Sequence, residues 1–466
     1  MRHHSIRFFI FAAIFMTGMV SGCSSFSTDG GLKQPAALVK ERSGASILPA
    51  KNDTDLAAIA TEVNRLITQA PLSESNAVQI ALINNRGLQA TYSELGVAEA
   101  DVVQAGRLNN PGFSFNRTRG GGDTVIDRTL TFNLINLLTA PMASRIEAQR
   151  FEEVKLRVAD AALNVAAQVR IAYVNAIAAQ QQLDYAGQVK SAADSSLELA
   201  IRMAKAGNWS QLELQREQLF AADAGEKLTL AGAMQAQSRE QLDQLLGLSG
   251  ATLQFQLPDH LPDVPEQPVE LQNLDALAAG ERLDIQAGKL ATQRVADELG
   301  LIKTTRLINV LELGPALNTA TGTASAPGYQ INIEIPLFDW GQARTAKAEA
   351  LYMQAAHRLA EQVINAQSQV RSAYADYHFR YDTARRYRDE LVPLQKKISA
   401  ENLLRYNGML ISIFELLTDA REQIATVNAS VDALKEFWIA DAKLQTALGG
   451  AYPTTNSSQE KTGASQ

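Results

Sequence analysis

Two long stretches of the chain carry apolar residues at helical spacing. In the second, over residues 342–406, apolar side chains recur about every 3.6 residues from Leu351 to Ile398. This pattern predicts one helix with a continuous apolar face, and the stretch 142–206 has the same character. Helices of this length extend for roughly 100 Å, so they must pack along other helices. Pro393 should kink the second helix, because proline lacks the amide hydrogen of that turn.

Two shorter segments alternate strictly between apolar and polar residues, which predicts strands. In the second segment Tyr329, Ile331, Ile333 and Ile335 alternate with Gln330, Asn332 and Glu334. In the first segment Leu130, Phe132 and Leu134 alternate with Thr131 and Asn133. Such faces fit strands between lipid and water, so we expect the apolar set to contact lipid and the polar set to face a lumen. An amphipathic hairpin on a soluble core is the alternative. With two strands in each segment the chain has four, and four strands cannot close a barrel without partner chains.

An internal repeat organises the chain, because residues 169–173 return at 370–374 and Gly207 returns at Gly408. Each half has the order helix, two strands, very long helix and closing helix. The predicted segments are 75–107, 111–138, 142–206 and 210–246 in the first half, and 271–303, 306–338, 342–406 and 411–447 in the second, after a short helix at 54–69. The repeats therefore cover 51–248 and 271–450, with a proline-rich linker at 249–270 and a polar tail at 451–466 that we expect to be disordered.

The N-terminus has the pattern of a targeting segment rather than of a folded element. Residues 1–22 combine two arginines with a short apolar run, which is typical of a signal peptide. The run Val20-Ser21-Gly22-Cys23 resembles the lipobox of bacterial lipoproteins, which implies cleavage before Cys23 and lipidation of its thiol, with palmitate as one of the acyl groups. An ordinary secretory signal with an incidental cysteine is the alternative. Residues 23–50 are predicted to be a lipidated tether, and no later run is apolar enough for a membrane helix.

Composition narrows the class of protein further. Hydrophobic residues make up 46% of the chain and charged residues 20%, which excludes wholesale disorder. The formal net charge of −7 argues against a nucleic-acid binder. A single cysteine excludes an internal disulfide and a cysteine-rich zinc site. The residue order indicates no catalytic constellation and no metal or cofactor site, so we do not expect an enzyme.

The segment after the last predicted strand carries a more specific signal. Ile335-Pro336-Leu337-Phe338-Asp339-Trp340-Gly341-Gln342-Ala343-Arg344 resembles the strand-to-helix junction of the TolC-like outer-membrane efflux proteins. The repeated layout from about residue 54 to 450 resembles that family too, as do Arg405-Tyr406-Asn407-Gly408 and the closing Leu448-Gly449-Gly450. The first half has only Asn136-Leu137-Leu138-Thr139 at the junction, without proline or phenylalanine.

The resemblance implies a mainly α chain with a small membrane β part, and a homotrimer whose twelve strands form one barrel in the outer membrane of a Gram-negative bacterium. The helices would continue it as a periplasmic α-barrel. Such a duct, anchored in outer-membrane lipid, passively conducts substrate delivered by an inner-membrane pump and a periplasmic adaptor. A structural or adhesive lipoprotein stalk is the competing function, and a periplasmic adaptor is disfavoured by the small strand content. The cargo stays open between drug, metal ion and secreted peptide.

Two helix–helix turns are the predicted docking surface for the adaptor, by the same resemblance. They contain Gly207, Asn208 and Trp209 in the first half, and Asn407, Gly408 and Met409 in the second. The glycines are expected to supply the positive φ that ends a long helix, and a plain helix–turn–helix explains them equally well.

Carboxylates just beyond these turns are the candidate periplasmic gate. By the same resemblance, Glu213, Glu415 and Asp419 would form acidic rings that favour cations once threefold symmetry brings three copies together. Glu415 and Asp419 lie four residues apart, hence on one helix face. Arg405 and Tyr406 could complete a closed gate by hydrogen bonding between helices. Solvated surface acids are the alternative.

Overall fold

The computed structural model describes residues 25–250, 254–308, 310–450 and 452. The predicted signal peptide, Cys23 and all of the predicted tail except Tyr452 lie outside the described residues. The helices are α1 (Lys33–Ser43), α2 (Asp53–Ile67), α3 (Glu74–Asn84), α4 (Arg86–Ala105), α5 (Leu134–Lys205), α6 (Gln211–Leu246), α7 (Leu274–Glu281), α8 (Leu283–Thr305), α9 (Gln342–Arg386), α10 (Val392–Asn407) and α11 (Ile413–Ala447). The strands are β1 (Gly112–Gly120), β2 (Asp123–Asn133), β3 (Leu311–Ala320) and β4 (Ala326–Ile333). The expectation of a mainly α chain with a small β part is confirmed.

The chain divides into two compact units, and each takes segments from both repeats. The sheet unit contains Tyr92–Val158, Leu283–Gln362 and the described residues up to Pro35. The helical unit contains Ala36–Thr91, Ala159–Arg282 and the described residues from Val363 onward. The repeats are therefore units of sequence, while the compact bodies are built by pairing corresponding parts of the two repeats.

The sheet unit carries a four-stranded antiparallel sheet in the order β1-β2-β3-β4. The central pair, β2 and β3, joins the two repeats, with Phe132 opposite Leu313 and Arg128 opposite Leu317. Within the described chain, the outer edges of β1 and β4 have no partner strand. Two strands end earlier than the alternation suggests, since Leu134 already begins α5 and Ile335 lies beyond β4.

The core of the helical unit is aromatic where α9 meets α11. Tyr377, Tyr381 and Phe437 are almost fully buried, with the Phe437 ring centroid 5.5 Å from that of Tyr377 and 5.9 Å from that of Tyr381. The proline-rich linker packs against this core, because the Tyr381 hydroxyl donates to the Glu266 carbonyl at 2.7 Å. The Trp438 indole N–H likewise donates to the Pro262 carbonyl at 2.8 Å. The linker is thus irregular in backbone but fixed in place.

The predicted tether contains a short helix, which is a difference from the sequence analysis. In α1, Val39 is fully buried, so the segment packs against the fold instead of running free. The Arg42 guanidinium donates to the carbonyls of Glu281 at 2.7 Å and Gly449 at 2.8 Å. It thereby satisfies carbonyl groups at the ends of α7 and α11 that no helical N–H reaches.

Each predicted first helix is two helices in the structure, with a break at Asn85 in the first repeat and at Arg282 in the second. At the first break the Asn85 side-chain oxygen accepts from the Leu88 amide at 3.0 Å, which starts α4. Its side-chain nitrogen donates to the Leu245 carbonyl at 2.9 Å. An asparagine that caps one helix and closes the end of another ends the run of helical backbone there.

The long helices differ between the repeats. α5 begins directly at Leu134, while the second long helix begins at Gln342 and is interrupted by a π turn at Tyr387–Leu391, just before Pro393. The perturbation predicted at this proline is therefore a π turn, which accommodates a missing amide hydrogen. An 18-residue window of α5 is as apolar as a membrane helix, contrary to the sequence analysis, but 61% of it is buried within the fold. A helix that packs inside a protein core can have the same length and apolar composition as a membrane helix.

Candidate functional site: the two-faced sheet and the helix turns

The sheet separates apolar from polar side chains completely enough to define two faces. The apolar face carries Phe113, Phe115, Leu130, Phe132, Leu313, Leu317, Tyr329, Ile331 and Ile333, which the register places in adjoining rows. Most of these side chains are exposed in the single chain, Tyr329 by 78%. The polar face carries Gln330, Asn332 and Glu312, where the Gln330 amide donates to Asn332 at 3.0 Å and the Asn332 amide to Glu312 at 3.1 Å. Exposed apolar surface of this extent marks contact with another apolar phase.

Charged side chains divide between the two faces by the sign of their charge. The four strands contain six charged residues, Arg117, Arg119, Asp123, Asp127, Arg128 and Glu312. By strand alternation and register, the three arginines lie on the apolar face and the three carboxylates on the polar face. The arginines belong to the rows nearest the β1–β2 turn. The polar face is thus acidic as well as polar.

The strand-to-helix junction of the second repeat is an ordered bend. Gly341 has φ +74°, and a Cβ there would lie 2.7 Å from the Arg306 carbonyl oxygen, so only glycine fits. The Asp339 carboxylate accepts from the Gly341 amide at 2.8 Å. Leu337 and Phe338 are exposed, and Pro336 disfavours helical backbone at the residue before it, Ile335. The first repeat has no such bend, since the Asn133 side chain caps α5 through the Asn136 amide at 2.8 Å.

The first helix–helix turn has the predicted geometry. Gly207 has φ +77°, and the Asn208 amide donates back to the Met203 carbonyl at 3.0 Å, which closes the end of α5. Ser210 caps α6 through the Glu213 amide at 3.3 Å, and the Glu213 carboxylate accepts from the Ser210 amide at 2.6 Å. Glu213 is therefore engaged in a capping box.

The second turn differs, and the predicted positive φ at Gly408 is wrong. Gly408 has φ −81°, and the residue with positive φ is Met409, at +57°. The Leu410 amide donates back to the Arg405 carbonyl at 2.8 Å, as the equivalent bond does in the first turn. Ser412 caps α11 through the Glu415 amide at 3.3 Å. Because the serine caps and positive-φ residues coincide, Gly207 corresponds to Met409 here, and the repeat offset is one residue longer than Gly207–Gly408 suggests.

This corrected correspondence pairs Glu217 with Asp419, and both are buried carboxylates, 1% and 5% exposed. The Gln395 amide donates to Asp419 at 3.0 Å between α10 and α11. Glu217 accepts from Ser196 at 2.8 Å and from Arg421 at 2.7 Å, which ties α5, α6 and α11 together. Glu217 was missed by the sequence analysis, and the serine caps are the signal that would have found it.

The other predicted turn residues are distributed unevenly. Trp209 is only 9% exposed, and its ring stacks on Phe414 with centroids 5.0 Å apart. Met409 is 93% exposed. Of the proposed gate residues, Glu415 is exposed, and Arg405 donates to Glu401 on its own helix at 2.9 Å. Tyr406, Asn208 and Asn407 are exposed at the turns.

Among the residues that the structure describes, no group of three or more His, Cys, Asp or Glu side chains is arranged to hold a metal ion.

Comparison with known proteins gives structural matches only. No protein-family model and no curated protein matches the chain. Among solved structures, the outer-membrane channel OprN matches with a TM-score of 0.68 at 18% identity, covering 92% of this chain and 97% of that one. This chain has the fold of such outer-membrane channels. A structure of CusC, described in terms of transmembrane channel formation, matches with a TM-score of 0.67 at 20% identity over 81% of this chain and 92% of that one. The open-state MtrE outer-membrane channel of Neisseria gonorrhoeae matches with 0.66 at 18% identity, covering 80% and 88%.

Proposed function

We propose that the chain forms the outer-membrane channel of a tripartite efflux or export system, as a homotrimer anchored by lipid at Cys23. The observation that carries the proposal is the open, two-faced sheet. One face is suited to lipid and the other to water, and both edge strands lack partners among the residues that the structure describes. Backbone groups at an open edge cannot remain unpaired in a bilayer, so the sheet must be closed by further copies. Three copies of the four-stranded sheet make the twelve-stranded barrel that the family resemblance implies.

The polar face then lines the lumen. Asp123, Asp127 and Glu312 on that face give a lumen that favours cations, because a ring of carboxylates lowers the electrostatic energy of a passing cation. The barrel does not select the substrate. A pump and an adaptor deliver the substrate and thereby determine which compound is exported. A structural stalk, the competing function, gives no reason for a sheet with one apolar and one acidic face.

The helix turns are the proposed periplasmic entrance. Met409 and Leu410 are large exposed apolar side chains at the second turn and are suited to docking an adaptor. A Leu410→Glu variant should lose export in cells while the purified channel keeps its conductance. A loss of conductance as well would indicate a folding defect instead of a docking defect.

The decisive test compares neighbouring positions on the two faces of β4. Ile331→Arg puts a charge on the lipid face opposite Leu313 and should destabilise the assembled barrel by roughly 2–4 kcal/mol if it lies near the bilayer midplane. Asn332→Arg puts the same charge in the lumen and should assemble normally. Trimer migration on semi-native gels and conductance in planar bilayers are the measurements. Equal behaviour of the two variants, or a wild-type protein that neither assembles nor conducts, would refute the channel.

Lipidation has its own test. Incorporation of labelled palmitate should be lost in a Cys23→Ser variant. Because one lipid anchor binds weakly compared with a spanning barrel, that variant should stay in the outer-membrane fraction when its export is preserved. Palmitate labelling that survives the substitution would rule out Cys23 as the acylated residue.

A further inference from the structure

Three arginines on the apolar face of the sheet have no role in the proposed conduction pathway. Arg117 and Arg119 lie two residues apart on β1, and Arg128 lies opposite Phe115, diagonal to Arg117. Residues two apart on a strand, and diagonal neighbours on adjacent strands, are separated by about 7 Å. The three guanidinium groups therefore share a patch roughly 14 Å long.

No carboxylate of the strands can neutralise this patch, because all three strand carboxylates lie on the opposite face. In the described part of the chain, the arginines are exposed and form no ion pair with an acidic side chain. Three like charges held together without counter-charges repel one another, so the binding of an anionic group would stabilise the patch.

The position of the patch defines where that partner lies. Between the patch and the strand ends that connect to α4 and α5, the same face of the sheet carries Phe113, Leu130 and Phe132. An arginine on the lipid face is costly at the bilayer midplane and nearly neutral at the interface. The arginine rows therefore lie at the interface, and they lie at the end where β1 turns into β2, away from α4 and α5.

We propose that Arg117, Arg119 and Arg128 bind the phosphate groups of phosphorylated lipid headgroups in the outer leaflet. This inference rests on the proposed function, which puts the apolar face against lipid. Guanidinium groups recognise phosphate by paired hydrogen bonds, and apolar side chains immediately below are suited to the acyl chains of the same molecule. A free anion would use the arginines but not the apolar rows, so the lipid is the occupant that fits both.

The test measures binding of bisphosphorylated lipid A to the detergent-purified trimer by native mass spectrometry. Replacing all three arginines by glutamine should weaken binding by about 100-fold, and each single replacement by about fivefold. A matched control removes three exposed helical lysines, Lys289, Lys396 and Lys397, and should bind within about threefold of wild type. Dephosphorylated lipid A should bind wild type as weakly as the triple variant binds lipid A. Millimolar inorganic phosphate should not displace the lipid.

Three results would overturn the inference. They are unchanged lipid binding by the arginine variants, an equal loss in the lysine control, and full displacement by inorganic phosphate, which would indicate a free-anion site. The single variants keep the test valid if the triple variant fails to assemble. A wild-type protein that conducts as a trimer but binds lipid without using the arginines refutes this inference alone, whereas one that never assembles or conducts refutes the proposed function.

Discussion

The two helix–helix turns share one frame, yet they are secured to different degrees. Both have a serine cap, at Ser210 and Ser412, and both have a residue with positive φ three positions earlier. In the first turn that residue is Gly207, for which the conformation is free of strain. In the second it is Met409, for which the left-handed conformation costs about 1–2 kcal/mol.

The difference extends to the carboxylates one turn further on. Glu217 joins three helices through two hydrogen bonds, whereas Asp419 accepts a hydrogen bond from Gln395 and joins two helices. Glu213 closes a capping box, and Glu415 does not. The first turn is therefore internally satisfied, while the second is strained and presents exposed side chains.

The largest expected effect separates the two buried carboxylates. Glu217→Ala leaves Arg421 and Ser196 without their acceptor and should lower the free energy of unfolding by roughly 2–3 kcal/mol, less than for a fully buried pair because Arg421 is 37% exposed. Asp419→Ala removes one hydrogen bond and should cost about 1 kcal/mol. Denaturant unfolding at fixed protein concentration measures both. Equal losses of stability in the two variants would mean that the hydrogen bonds of Glu217 do not distinguish the turns.

The next effect has opposite signs at equivalent positions. Gly207→Ala forces a side chain into positive φ and should destabilise by about 1–2 kcal/mol, although the added Cβ meets no neighbour within 4 Å. Met409→Gly relieves strain and should stabilise by roughly 0.5 kcal/mol after the greater entropy of the unfolded glycine is subtracted. Thermal unfolding measures the change in stability of both variants. A Met409→Gly variant that is less stable than wild type would contradict backbone strain at Met409.

A smaller difference is expected at the caps. Ser210→Ala breaks a reciprocal capping box and should cost about 1 kcal/mol. Ser412→Ala removes a single capping bond, so roughly half of that loss is expected. The same unfolding assay applies, with Ser195→Ala inside α5 as a control for the substitution itself. A greater loss at Ser412 than at Ser210 would reverse the ranking of the turns.

The smallest effect on stability should be the most informative for function. Glu415→Gln should leave unfolding unchanged but reduce cation preference in planar bilayers, because an exposed carboxylate next to the proposed entrance contributes to the local potential. Glu213→Gln should reduce cation preference less, since that carboxylate is less exposed and is held against the Ser210 amide. If Glu415→Gln conducts with wild-type selectivity, the acids at the second turn are ordinary surface charges.

The sequence predicted which helices and strands are present better than it predicted where they begin and end. Helical and strand periodicities predicted the long helices and the strand segments, since side-chain spacing directly reflects backbone geometry. The break at Asn85 was missed because an asparagine between apolar helical runs does not interrupt the periodicity. Its effect comes from a cap on the Leu88 amide together with a bond to Leu245, far away in the sequence. Likewise, the helix in the predicted tether depends on the burial of Val39 by distant residues.

The candidate site shows why an alignment on one residue type fails. Matching Gly207 to Gly408 assumed that glycine always supplies the positive φ at a helix end. The structure puts Met409 there, because the backbone bond from Leu410 to Arg405 fixes the turn whatever side chain occupies it. Aligning the serine caps instead would have paired Glu217 with Asp419. Capping residues mark the geometry of the turn, and glycine only lowers the conformational energy of the positive φ.

In the proposed trimer, the edges of β1 and β4, which have no partner strand in the described chain, have a consequence for the order of assembly. Two separate sheets have four open edges, and joining them pairs two of these edges. Adding a third sheet pairs both of its own edges with the two that were left open. The closing step therefore forms two edge pairs where the first step forms one, so closed rings should be more populated than dimers. An edge left open too long becomes a starting point for irregular aggregates.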